Sequence, residues 1–350
     1  MYLLSEFMSV KINLKSKDLK ELELFFREKK EPLYRGRQLF VWMWRKGVDD
    51  ISLYTNFSKK LREYLKNHFY VASLKRTVCL SSRDGAVKYV FERETGEKLE
   101  SVFIPVDERR TVCVSTQVGC PLGCSFCATG QGGFKDNLQG WEIADQVLQI
   151  AKHQNVRVTN VVFMGMREPF LNWESVKKAL FILNSNFGVG IGARKMTVST
   201  AGVIPGIYEL ASFPLKVRLA FSLNSAIQEK REEIMPVARK YPLSDVKRAI
   251  KFYYEKKHRI VTLEYVLIGK FNTSKEDFLA LKEFSKGLRV KINLIPLNPC
   301  ESISYFPPSE KEINRFYQWC LSLSCPVNIR KSRGQDVKGA CGQLVGGLKG

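Results

Sequence analysis

Histidine is scarce in this chain: three among 350 residues, His68, His153 and His258, and none lies beside a motif. All three read as structural or surface residues. No apolar run approaches the roughly 20 residues that a membrane-spanning helix needs. The Met-Tyr-Leu-Leu-Ser-Glu start has neither the basic segment nor the apolar stretch of a secretory leader. These absences predict a soluble, unsecreted protein with no membrane attachment. Nine cysteines without a leader argue against a disulfide framework and for a reducing compartment, by default the cytoplasm. Internal repeats and low-complexity segments are also missing. Acidic residues are few, 35 against 56 Lys and Arg, for a formal net charge of +21. Such an excess suits a polyanionic partner such as RNA or DNA. Solubility alone, or a lysine-rich genome, would produce it too, because net charge does not say where the charge sits.

The length allows one large domain with an appendage, or two domains. Residues 11–70 read as helical. Ser16-Lys-Asp-Leu-Lys-Glu-Leu-Glu-Leu-Phe-Phe carries an N-cap candidate and apolar positions at helical spacing. A basic, aromatic helix follows from Tyr34 to Gly47, then Phe57-Ser-Lys-Lys-Leu-Arg-Glu-Tyr-Leu. Cations interleaved with Trp, Tyr and Phe are what backbone-tracking and base-stacking surfaces use. They fit equally a small bundle whose aromatics are its core, and composition leaves the two readings even. Either way, residues 1–75 are expected to form a helical accessory module. From about Val78 the pattern changes to alternation: 86–92, a Glu94-Thr-Gly-Glu turn, then 98–105. This predicts a β-hairpin linker over 76–110.

Residues 111–350 form the remaining unit. Thr111-Val-Cys-Val-Ser-Thr predicts a strand that leads into the loop Gly119–Phe134. Helical patterns over 141–154, 172–186, 244–256, 274–287 and 309–323 then alternate with strand patterns over 158–164, 195–199, 217–222, 260–267 and 290–297. Alternation of this kind implies βαβ units and a parallel sheet. The strand before the loop makes six, too few for a closed eight-stranded barrel.

The loop places Cys120, Cys124 and Cys127 within eight residues. A structural zinc takes four ligands, normally from two separated knuckles, and no second Cys/His pair with that spacing exists. A [4Fe–4S] cluster held by three cysteines, with one iron open, suits the spacing better. The pattern resembles the cluster loop of radical S-adenosylmethionine (radical SAM) enzymes, whose open iron chelates the amino and carboxylate groups of SAM. Such enzymes have a partial six-unit barrel. The expected fold class is therefore α/β: a partial (β/α)6 radical SAM barrel with a small N-terminal helical domain and a β-hairpin linker. Ligands of parallel α/β folds bind at the carboxyl ends of the strands. The residues there, Arg167, Glu168, Ser199, Ser222, Leu223, Asn224 and Asn298, are the candidates for holding SAM.

The full set of motifs resembles the dual-cysteine radical SAM RNA adenine methyltransferases. The matching stretches are Tyr34-Arg-Gly-Arg-Gln, Ile104-Pro, Thr111–Gln117, the cluster loop, Val198-Ser-Thr-Ala-Gly, Asn293-Leu-Ile-Pro, Arg330-Lys-Ser-Arg-Gly and Ala340-Cys-Gly-Gln-Leu. The resemblance implies one [4Fe–4S] cluster per chain and two SAM consumed per methylation. It implies methylation of adenine C2 in RNA, in large-subunit ribosomal RNA (23S rRNA) and in tRNA as a second substrate. Carbon 2 is electron-poor and has no lone pair, so direct transfer to it should fail. In the family, a methyl group first goes to a cysteine matching Cys341. A radical derived from a second SAM then activates that group, and the carbon adds to adenine. A glutamate matching Glu100 takes the ring proton, and a cysteine matching Cys113 attacks Cys341, releasing the RNA and leaving a disulfide. Without the resemblance, Cys113 in a strand would read as a small buried apolar residue. Cys79, Cys300, Cys320 and Cys325 match no motif and read as structural.

The implied partners are RNA and an electron donor such as flavodoxin or ferredoxin, and nothing suggests more than a monomer. Two positions depart from the family. Arg167 stands where a glycine is usual, and arginine neither clears space for a ligand nor takes φ > 0 cheaply. Two roles are open to it: pairing with a carboxylate such as that of SAM, or crowding the amine site. Asn224 replaces a histidine, which removes titration and ring stacking. Adenine C8 specificity, and a degenerate paralogue that binds RNA without turnover, are the alternatives.

Overall fold

Helical periodicity near the start of the chain produces α1 (Leu19–Glu28), α2 (Tyr34–Phe40) and α3 (Lys59–His68) in the computed structural model, which describes residues 11–346. The cap of α1 is Asp18: its carboxylate accepts from Glu21 N–H at 2.8 Å, and Glu21 accepts in return from Asp18 N–H at 2.6 Å. The aromatics of this module are mostly its core. Phe26, Trp44, Tyr54 and Phe57 are buried, and Trp42 stacks on Tyr54 at 5.1 Å. Tyr34 is about half exposed, at 49%. Packing thus favours the bundle reading for these rings and leaves the cations Arg37, Arg45 and Lys46 outside.

The module shares one continuous core with the rest of the chain. Lys15 and Asp145, both fully buried side chains, form an ion pair of 2.8 Å across that junction. Asp145 also accepts from Leu74 N–H at 2.8 Å, and Lys15 reaches Asp49 and Ser73 at 3.2 Å each.

One ten-stranded mixed sheet follows. Strands β1 (Lys75–Ser81), β2 (Val87–Glu92), β3 (Lys98–Val106) and β4 (Arg109–Val114) pair antiparallel in sequence order. The expected hairpin is therefore continuous with the barrel sheet and does not stand apart as a linker. From β4 onward the sheet is parallel through β5 (Asn160–Phe163), β6 (Met196–Thr200), β7 (Arg218–Ser222), β8 (Val261–Leu267), β9 (Val290–Pro296) and β10 (Val327–Ile329). That makes seven parallel strands where the pattern predicts six, because three residues are too few to show periodicity. Among the described residues β1 and β10 do not pair, so the barrel stays open.

The crossovers carry α4 (Gly140–Gln154), α5 (Trp173–Asn184), α6 (Ile204–Ser212), α7 (Leu243–Lys257), α8 (Lys275–Ser285) and α9 (Glu310–Cys320). Helix α6 escapes sequence reading because Pro205 and Gly206 look like breakers. A proline in the first turn, however, removes only an N–H that has no partner there. Among the described residues no helix is long and apolar enough to cross a membrane.

Candidate active site

The carboxyl ends of the parallel strands open into a cavity of about 1370 Å³ including its mouth. The loop after β4 is shaped by a small antiparallel pair, Gln117–Gly119 with Phe134–Asn137. Gly119 has φ +81°, and a Cβ there would lie 1.9 Å from the Gly133 carbonyl oxygen, so only glycine closes this turn. Cys120, Cys124 and Cys127 all line the cavity. Among the described residues no three His, Cys, Asp or Glu side chains converge as ligands of a single ion. Thiolates that each take a different iron of a cube need not converge on one point, and a donor set of thiolates alone is soft. The loop therefore fits a [4Fe–4S] cluster and not a mononuclear zinc. Burial pushes the Cys120 thiol up to about 12 and raises Cys124 as well, so iron binding must displace their protons.

Cys113 reaches the same cavity from β4, and Cys341 reaches it from the C-terminal tail. The tail is pinned from three sides. Asp336 accepts from Ser82 Oγ at 2.6 Å on the β1–β2 turn. Asn298 Nδ2 donates to Cys341 O at 2.9 Å, and Gln335 Nε2 donates to Asn298 Oδ1 at 2.6 Å. Beside the cluster loop, Ala128 N–H donates to Gly342 O at 2.8 Å and Thr129 Oγ1 to Leu344 O at 2.7 Å. Asn298 thus commits its amide to placing Cys341.

Burial pushes the Cys113 thiol up to about 12; charge on Cys341 adds to this, while Arg167 and Arg330 oppose it. Alkylation of Cys113 in the native chain is accordingly expected to rise about tenfold per pH unit, with no plateau below about pH 10, as thiolate reactivity requires. A plateau near pH 8.5, read by peptide mass spectrometry, would mark an ordinary thiol.

The remaining candidates divide. Arg167, Glu168, Ser199, Ser222 and Asn224 line the cavity. Arg167 is not among the positive-φ residues, so its backbone carries no strain. Its Nη1 donates to Ser199 O at 2.8 Å, while its Nε and the Ser199 hydroxyl are buried with no hydrogen-bond partner among the described residues. Glu168 is fully buried, and burial raises its pKa despite bonds from Thr200 Oγ1 and Ala201 N–H, both 2.8 Å. Asn224 has φ +57°, which asparagine tolerates; its Oδ1 accepts from Val266 N–H at 3.0 Å.

Two candidates lie elsewhere. Leu223, just past the end of β7, belongs to the hydrophobic core and does not line the cavity. Glu100 sits under the tail: Lys88 Nζ lies 2.9 Å from one carboxylate oxygen, and Val345 N–H donates to the other at 3.0 Å.

Two lining residues were missed as candidates. Glu264 projects from β8, its pKa raised by burial, and accepts from Asn293 Nδ2 at 3.2 Å. The signal was a lone acidic residue in the apolar run Val261-Thr-Leu-Glu-Tyr-Val-Leu. Arg330, part of a quoted motif, holds its guanidinium in the field of Cys341, Glu264 and Cys113.

Comparison with known proteins agrees with this geometry. Residues 114–282 match the radical SAM superfamily, and residues 12–71 match the ribosomal RNA large subunit methyltransferase N-terminal domain. Probable dual-specificity RNA methyltransferases RlmN of Staphylococcus aureus strains JH9 and Newman are each 39% identical over 327 residues, covering 93% of this chain and 90% of theirs. The crystal structure of a radical SAM methyltransferase from Sphaerobacter thermophilus superposes with a TM-score of 0.91 at 38% identity, covering 96% of this chain and all of that one. With both family models matched and relatives 39% identical over 93% of the chain, the chain belongs to the RlmN family of radical SAM RNA methyltransferases.

Proposed function

We propose that this chain methylates carbon 2 of adenine in large-subunit ribosomal RNA, and in transfer RNA as a second substrate, through a methyl group carried on Cys341. As a member of its family it is a SAM-dependent RNA methyltransferase with a [4Fe–4S] cluster. The observation that carries the reading is the meeting of Cys113 and Cys341 in the cavity that also holds Cys120, Cys124 and Cys127. Bound at these three cysteines, with SAM at the open iron, the cluster would supply the one-electron chemistry that methyl transfer to an electron-poor carbon lacks.

The chain's own residues then divide the work. Cys341 accepts the methyl group and presents it to the base. Glu100 takes the ring proton, which requires Val345 to release it. Cys113, as its thiolate, attacks the sulfur of Cys341 and forms a disulfide as the carbon–sulfur bond breaks; the carbon keeps the electron pair and takes up a proton to become the methyl group. An external reductant of the flavodoxin or ferredoxin class supplies electrons, and the monomer works alone in the cytoplasm. The exposed Arg37, Arg45 and Lys46 of the N-terminal module offer phosphate contacts. Nucleoside mass spectrometry of RNA from cells with and without the gene tests the reading: loss of 2-methyladenosine supports it, loss of 8-methyladenosine replaces it with C8 specificity, and no change leaves an RNA-binding paralogue.

Arg167 is assigned to the carboxylate of SAM, because its Nε is buried without a partner at the cavity wall. Arg167→Gly is then expected to raise the Kd for SAM about tenfold or more, the worth of one charged hydrogen bond. Tighter binding by calorimetry would mean that the arginine crowds the site instead.

A further inference from the structure

One charged side chain in the interior has no counter-ion among the described residues. Arg231, from the short helix Gln228–Ile234, is fully buried. Its Nη2 donates to the carbonyls of Ala201 at 2.6 Å and Ser222 at 3.3 Å, and its Nε to Leu223 O at 3.1 Å. Its guanidinium lies 5.1 Å from the centre of the Phe221 ring. The third nitrogen, Nη1, is buried without any hydrogen-bond partner, and no Asp or Glu among the described residues forms an ion pair with it. Burial pulls its pKa down to about 10, which still leaves it a cation at neutral pH. A buried charge without a counter-ion is strongly unfavourable. Carbonyl dipoles and one aromatic face offset only part of that, so an anion belongs nearby.

The residues around Arg231 indicate where. Cys124 packs in one apolar cluster with Ala201, Ile234 and Met235, which include a hydrogen-bond partner of Arg231 and the end of its own helix. Ser125 N–H donates to Ile234 O at 3.0 Å, tying the cysteine loop to that helix. Ala201 and Ser222 line the cavity and Arg231 does not, so the guanidinium acts through the cavity wall.

We propose that Arg231 is the buried counter-charge of the iron–sulfur cluster, a positioning residue that favours the reduced, electron-loaded state. This rests on the reading of Cys120, Cys124 and Cys127 as cluster ligands. A cluster held by three thiolates is a net anion, and it gains a further negative charge when an external one-electron donor reduces it. A fixed cation in a low-dielectric interior stabilises that added charge more than the oxidised state. The same guanidinium ties together the ends of β6 and β7.

The test uses the full chain loaded anaerobically with iron and sulfide, as wild type, Arg231→Lys and Arg231→Gln. Iron per chain is counted, and the reduced cluster is followed by electron paramagnetic resonance through a potentiometric titration. Arg231→Gln is expected to be about tenfold harder to reduce at a given potential, a shift of ~59 mV for a one-electron couple. Arg231→Lys, which keeps the charge, should stay close to wild type. Equal potentials for wild type and Arg231→Gln would overturn the proposal while leaving the cluster reading intact. A wild-type chain that takes up no iron overturns the cluster reading instead. If Arg231→Gln does not fold, wild type labelled with 15N in its guanidinium groups decides. A nitrogen coupling to the reduced cluster, lost in Arg231→Lys, supports the proposal; a coupling absent in wild type or kept in Arg231→Lys overturns it.

Discussion

Cys341→Ala is expected to lower RNA methylation by roughly 10⁴-fold or more, as removal of a covalent nucleophile does, while leaving iron content and RNA binding unchanged. The alanine still fits, because Cys341 is held through its carbonyl by Asn298 and its side chain faces the cavity. What is lost is the sulfur that, under the proposed function, accepts the methyl group. Multiple-turnover assays read by nucleoside mass spectrometry measure the effect, and activity within tenfold of wild type would rule out Cys341 as methyl carrier. Cys113→Ala separates the two sulfurs. It should still methylate Cys341 but leave RNA covalently joined to protein, a retarded band on a denaturing gel; free methylated RNA would remove Cys113 from the release step.

The second large effect is on stability. Asp145→Ala leaves Lys15 charged in an interior where both side chains are fully buried. Breaking one side of a buried pair costs about 3–5 kcal/mol. Lys15 keeps Asp49 and Ser73, which places the expected loss toward the lower end of that range, although Leu74 N–H also loses its acceptor. Denaturant unfolding with the slope held common measures it. A loss under about 1 kcal/mol would mean that water enters the junction and that the N-terminal module is not held there by this pair. Replacing both residues with apolar ones of similar size should recover much of the loss, because the desolvation penalty goes with the charges.

The strands of the parallel sheet show as runs of Val, Ile and Leu because both of their faces are buried. Residues 327–329 do not, since three residues carry no period. The aromatic stretch from Tyr34 to Trp44 was ambiguous because a stacking surface and a bundle core use the same side chains. Burial alone separates them, and it puts Trp42 and Trp44 inside. Leu223 lies between the cavity-lining Ser222 and Asn224 in sequence, yet its side chain packs into the core. Glu100 was nominated by resemblance, and only the fold shows it engaged by Lys88 and Val345 beneath the tail.

The sequence by itself determined the three-cysteine loop, the order of βαβ units and the family. Those signals are local: three thiols within eight residues cannot be far apart, and periodicity is a property of neighbouring positions. Only the tertiary structure decided that Cys341 meets Cys113, that Asn298 serves the tail, and that Arg167 sits unstrained beside Ser199. It alone shows that Arg231 is a buried cation with no ion-pair partner among the described residues. Each of these depends on contacts between segments far apart in the chain, where burial and hydrogen bonding set the geometry and no spacing rule applies.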